Sequence, residues 1–79
     1  MKYIMFEDFS GEAVPVLFPS RIEFVEMREQ IPYATVLSAG FVQLSGGRIA
    51  CHGESKTLGV AARDIDGDLL TERLANPEL

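Results

Sequence analysis

Residues 41–52 read Phe41-Val42-Gln43-Leu44-Ser45-Gly46-Gly47-Arg48-Ile49-Ala50-Cys51-His52. Two β-rich runs flank Gly46-Gly47, and both glycines tolerate the positive φ that a two-residue hairpin turn requires. A two-residue loop dictates the pairing. Ser45 faces Arg48, Leu44 faces Ile49, Gln43 faces Ala50, Val42 faces Cys51 and Phe41 faces His52. Side chains alternate along a strand, so Val42, Leu44, Ile49 and Cys51 share one apolar face. Phe41, Gln43, Ser45, Arg48, Ala50 and His52 share the other. With the return strand extended to Glu54, that residue joins the second face, about 7 Å from His52 at strand rise.

Outward from this hairpin, the N-terminal side carries a second one. Residues 2–7 read as a strand whose apolar residues fall on both faces, Tyr3 and Met5 on one and Ile4 and Phe6 on the other. Such a strand belongs at the centre of a sheet. Asp8 to Glu12, with Ser10-Gly11, is the loop, and residues 13–18 return. Pro15 lacks an amide hydrogen, which places that strand at an edge or a bulge. Ser20-Arg21-Ile22-Glu23 fits a capping box opening a helix over 21 to about 30. Phe24, Met27 and Ile31 fall on its apolar side, Glu23, Glu26, Glu29 and Gln30 opposite, and Pro32 stops it. Thr35 to Ser45 is β-rich, with Gly40 marking a bulge or a close contact. Residues 56–61 suit a short strand or a helix start. Asp64-Ile65-Asp66-Gly67-Asp68 is a turn into a last helix, Asp68 to about Ala75, capped by Asp66 or Asp68 and ended by Asn76-Pro77, with Leu69, Leu70 and Leu74 on its apolar side. The fold class is therefore α+β: a small antiparallel sheet of four to five strands, order ββαββ(β)α, with two short helices on one face.

Length and composition bound the rest. Seventy-nine residues make a single domain, 1–79, that buries roughly 60% of its extended-chain surface. A barrel of about 250 residues is excluded. Hydrophobic residues at 47% and charged residues at 24% are ordinary for a globular domain. A net charge of −5 argues against a nucleic-acid partner, whose binders carry excess Lys and Arg. Four apolar residues in a row after Lys2 are too few for a signal peptide or a membrane helix, and Cys51 has no second cysteine to pair with. The expectation is a cytoplasmic protein with no membrane association.

Several stretches invite a chemical reading. Cys51-His52 suggests a thiol–imidazole pair, but adjacent strand residues point to opposite faces and cannot form one; Cys51 reads as a small buried hydrophobe. Asp64-x-Asp66-Gly67-Asp68 matches a calcium loop in neither register, since position 12 falls on Ala75 or Arg73. Gly53-Glu54-Ser55-Lys56-Thr57 lacks the glycine that a phosphate loop sets before lysine. No metal site, cofactor or catalytic residue is expected. Two surfaces remain. One is a polar patch of Arg48, His52, Glu54 and Gln43, suited to a small-molecule ligand or a metal. The other is an interaction surface: Phe41, an aromatic on an otherwise polar face that suggests contact with a partner or the final helix, and the acidic helix face of Glu23, Glu26 and Glu29. A thin core and a first strand apolar on both sides favour an open sheet face covered by a protein partner or by self-association. The leading expectation is a non-enzymatic interaction or assembly module.

Overall fold

The computed structural model describes residues 1–32 and 34–75, the last two as backbone. The architecture is α+β: a four-stranded antiparallel sheet, a separate two-stranded hairpin and two helices. In chain order these are β1 (Lys2–Glu7), β2 (Ala13–Phe18), α1 (Phe24–Gln30), β3 (Thr35–Ser45), β4 (Arg48–His52), β5 (Glu54–Ser55), β6 (Val60–Ala61) and α2 (Asp66–Ala75). The sheet order is β2-β1-β3-β4, with β5-β6 apart.

The apolar run in β1 explains its central place. Tyr3, Ile4, Met5 and Phe6 are all buried, and their strand is paired antiparallel with β2 on one side and β3 on the other. Pro15 sits on the edge strand β2, opposite Met5, where a missing amide hydrogen interrupts no interior ladder. The β3–β4 pairing is the one that the Gly-Gly turn dictates, from Ser45 with Arg48 through Phe41 with His52. Gly46 and Gly47 both take positive φ.

The two helices lie on opposite faces of the sheet, not on one. Phe24 of α1 packs with Ile4, Phe6, Phe18 and Ala39 in a single cluster, which Met27, Ile31, Phe41, Leu58 and Val60 extend. The rings of Phe18 and Phe41 each meet Phe24 edge-on at 5.8 Å. Lys2 is buried on this side too. Its Nζ donates to the Ile22 carbonyl at 2.8 Å and rests 4.8 Å from the centre of the Phe24 ring. Tyr3 projects the other way and donates its hydroxyl proton to Asp66 of α2, and Leu70 of α2 is buried outside the Phe24 cluster. A strand apolar on both faces needs a cover on each, and each helix supplies one. Over β1, neither face is left open.

Three element ends differ from those the sequence suggests, and of the two readings of Gly40 the close contact is the one found. A turn closed by Ile22 N–H and the Pro19 carbonyl at 3.0 Å occupies the predicted cap, so α1 begins at Phe24, and the Glu26 carboxylate reaches back to the Glu23 amide at 2.9 Å. The bulge in β3 falls at Leu37, between the Met5–Ser38 and Phe6–Val36 pairs, while Gly40 is a close contact: a Cβ there would lie 2.5 Å from the His52 carbonyl oxygen. β4 stops at His52 rather than Glu54 because Gly53 turns the chain at φ 81°, against the Phe41 ring. α2 starts two residues early, at Asp66, whose carboxylate accepts from the Arg63 amide at 2.9 Å. Residues 56–59 are a turn, and only the end of the 56–61 stretch is strand. The predicted Asn76-Pro77 stop and the side chain of Leu74 lie outside the described residues. Among those residues, no helix is long and apolar enough to cross a membrane.

β3 outruns β1. Val42 N–H meets the Met1 carbonyl at 2.8 Å, and Gln43 to Ser45 continue for about 10 Å with β4 as their only strand partner among the described residues. Leu44 on this overhang is 72% exposed.

The crowding at Gly40 is testable. Gly40→Ala forces a methyl group against a backbone oxygen and should lower the unfolding free energy in urea by about 1–3 kcal/mol. Gln43→Ala on the overhang should change it by less than about 0.5 kcal/mol.

Candidate functional site

The predicted polar patch is only partly assembled. Gln43, Arg48 and His52 are exposed on one face of the β3–β4 hairpin. Glu54 is exposed as well, but it lies beyond the Gly53 turn on the separate hairpin, paired with Ala61. It does not continue the row that carries His52. The His52 ring lies nearly parallel to Phe41, with centres 5.9 Å apart and 28° between planes. Phe41 is half-buried, clasped between His52 and Phe24, so the helix it contacts is α1, not the final one. Glu23, Glu26 and Glu29 are exposed on α1. Among the described residues the sole ion pair is Arg63 with Asp66, so these three carboxylates have no cationic partner. No group of three His, Cys, Asp or Glu side chains among the described residues converges as a metal site.

One polar cluster is absent from the sequence reading because its members come from three distant segments. Asp66 is fully buried where α2 begins. Its carboxylate accepts from the Tyr3 hydroxyl, the Arg63 amide at 2.9 Å and Arg63 Nε at 3.0 Å. Burial works against its charge, but these donors outweigh it and hold the carboxyl below the usual aspartate range. Ser38 faces the same carboxylate and adds to this, although its hydroxyl falls short of hydrogen-bond geometry. Burial first, and the neighbouring Asp66 second, push the Tyr3 phenol far above its ordinary value. Burial likewise raises the Cys51 thiol, which lies half-buried on the same side of the sheet. Through these bonds the cluster clamps α2 to β1.

The surface feature that stands out is the β1–β2 loop. Phe9 is 92% exposed, yet the loop that carries it is tightly hydrogen-bonded. Asp8 Oδ1 accepts from Ser10 N–H at 2.9 Å, Ser10 Oγ at 2.7 Å and Glu12 N–H at 2.9 Å. The loop closes through Asp8 N–H to the Glu12 carbonyl at 2.9 Å and Gly11 N–H to the Asp8 carbonyl at 3.0 Å. Gly11, at φ 87°, supplies the left-handed residue that the turn requires. The hydroxyl of Ser10, then the backbone donors, draw the Asp8 carboxyl below its ordinary range. Asp8, Phe9, Ile31 and Ala34 line a groove of about 250 Å³. A second groove, about 320 Å³, lies between Glu12, Ala13, Leu69, Glu72 and Arg73 and is strongly charged. Neither groove includes Arg48, His52, Glu54 or Gln43. The signal for the Phe9 site was present in the sequence as an aromatic set among turn-forming residues, Asp8-Phe9-Ser10-Gly11.

No protein-family model, curated protein or solved structure matches this chain, so its functional reading rests on its own residues.

The buried clamp makes stability depend on pH in a definite direction. A carboxyl with a lowered folded pKa contributes stability that is present above its unfolded value, ordinarily 3.8, and lost as pH falls through the folded one. Tyr3→Phe removes a donor from the buried charge and should cost about 1–3 kcal/mol at neutral pH. Urea titrations should show the gap between Tyr3→Phe and the parent protein narrowing as the pH is lowered below 3.8.

Proposed function

We propose that this chain is a non-enzymatic protein-interaction or assembly module, and that Phe9 is its principal contact residue. One observation carries the reading: a phenylalanine held almost wholly in water on a loop ordered by its own hydrogen bonds. Leaving such a ring exposed forgoes the burial that stabilises every other phenylalanine described, all of them buried or half-buried. Ordering the loop in advance lowers the entropic cost of docking it. Aromatic anchors flanked by polar rims dominate the energetics of many protein interfaces. The exposed Leu44 on the β3–β4 overhang offers a further apolar contact at the opposite end of β3. A protein with a single cysteine and no partner for it suits the reducing cytoplasm, where we place its action.

A photo-reactive amino acid at Ser10, beside the ring, tests this in the cell. A discrete cross-linked protein species should form and should disappear in Phe9→Ser. Static light scattering over a concentration series should show whether that species is a second copy. A strict monomer with no cross-linked species from Ser10 would remove the reading.

A further inference from the structure

We infer that α2 is a releasable strap, tethered to the sheet through the Tyr3–Asp66 bond, whose opening bares the Tyr3 side of β1 and the outer edge of β4 while the rest of the fold stays closed. The inference is independent of the Phe9 reading. The two covers of the sheet are built differently. On the α1 side, Phe24 joins Ile4, Phe6, Phe18 and Ala39 in one apolar cluster. On the α2 side the centre of the contact is polar: a fully buried carboxylate, Asp66, with the Tyr3 hydroxyl as its donor from the sheet. Ser38 Oγ and Arg63 Nη2 are buried there without a hydrogen-bond partner among the described residues, which costs stability while the strap is closed. A directional bond is lost within a small displacement, whereas apolar burial is non-directional and yields gradually.

Arg63 and Asp66 belong to the strap together. The Arg63 carbonyl accepts from Asp66 N–H at 3.0 Å, and the Asp66 carboxylate accepts in return from the Arg63 amide and Nε. The last bond before them runs from Ala62 N–H to the Gly53 carbonyl at 3.0 Å, so the hinge falls between Ala62 and Arg63. Among the described residues, no hydrogen bond other than the one from Tyr3 joins residues 63–73 to the sheet. The strap sits tight at its start. A Cβ on Gly67 would lie 2.7 Å from the Ile49 carbonyl oxygen. In the register that Gly46-Gly47 dictates, Arg48 and Ala50 turn their backbone groups to β3 and Ile49 turns its own outward, so the first turn of α2 covers the free edge of β4. Leu70, one turn further on, is buried. Toward β2 the packing loosens: a groove of about 320 Å³ opens between Glu12 and Ala13 on one side and Leu69, Glu72 and Arg73 on the other. Closed, the strap shields an apolar face and an unpaired strand edge, two features that otherwise invite pairing with other chains.

Native-state hydrogen exchange, followed by NMR on the full chain at low denaturant, tests this. The amides of Leu70 and Thr71 should exchange through an opening at least about tenfold more populated than the one that frees the amides of β1, and with a weaker dependence on denaturant. Tyr3→Phe should raise α2 exchange by about tenfold or more. Gly67→Ala, which drives the first turn away from Ile49, should raise it from the β4 side. Phe24→Leu weakens the α1 cluster and should speed exchange in β1 while leaving the α2 opening unchanged. Exchange of α2 and β1 through one opening of equal population, or an equal response of both to Phe24→Leu, would overturn the inference. So would α2 exchange unmoved by both Tyr3→Phe and Gly67→Ala, the result expected of a helix that merely frays. If Tyr3→Phe does not fold, Gly67→Ala and Phe24→Leu decide between the same outcomes.

Discussion

The structure depends on burying both faces of β1. Tyr3, Ile4, Met5 and Phe6 alternate across the strand and all leave water, so the sheet must be covered twice, and the two helices among the described residues take one face each. α1 covers Ile4 and Phe6 through Phe24. α2 covers the Tyr3 side, and the bond from the Tyr3 hydroxyl to buried Asp66 sets its position. A charge buried there is tolerable because Arg63 supplies both an amide and a guanidinium donor. The half-buried thiol of Cys51 packs on the same side of the sheet.

With each helix committed to the sheet, the two most exposed large apolar side chains described, Phe9 and Leu44, lie at the ends of the molecule. The β1–β2 loop at one end holds Phe9 in water while Asp8 binds the loop's own donors. The β3–β4 overhang at the other end exposes Leu44. Loops on a packed scaffold are where recognition residues concentrate, and here five of the six residues of the central strand are buried. Phe41, by contrast, is absorbed: it links Phe24 to His52 and extends the core toward the hairpin.

Much of this was legible in the residues. The Gly46-Gly47 turn and the period-two pattern around it dictate the register down to Phe41 with His52, because a two-residue loop allows no slip. Pro15 marks β2 as an edge, and Phe24, Met27 and Ile31 show which side of α1 faces inward. Local signals failed where two of them competed. Ser20 is a good cap, but a turn over Pro19–Ile22 uses the residues that would have followed it. Gly53 looks harmless within a strand, yet it takes φ 81° with the Phe41 ring 2.9 Å from where a Cβ would stand, and the turn there separates Glu54 from His52. Phe9 passed as one more loop residue because exposure is a property of the finished surface.

By itself, then, the amino-acid sequence determined the elements, the central place of β1 and the hairpin register, since propensity, turn chemistry and alternation act over a few neighbouring residues. Tertiary structure decided which face each helix took, which carboxylate was buried, and which aromatic stayed in water. Those outcomes depend on contacts such as Tyr3 with Asp66, sixty-three positions apart, whose meeting no local pattern encodes.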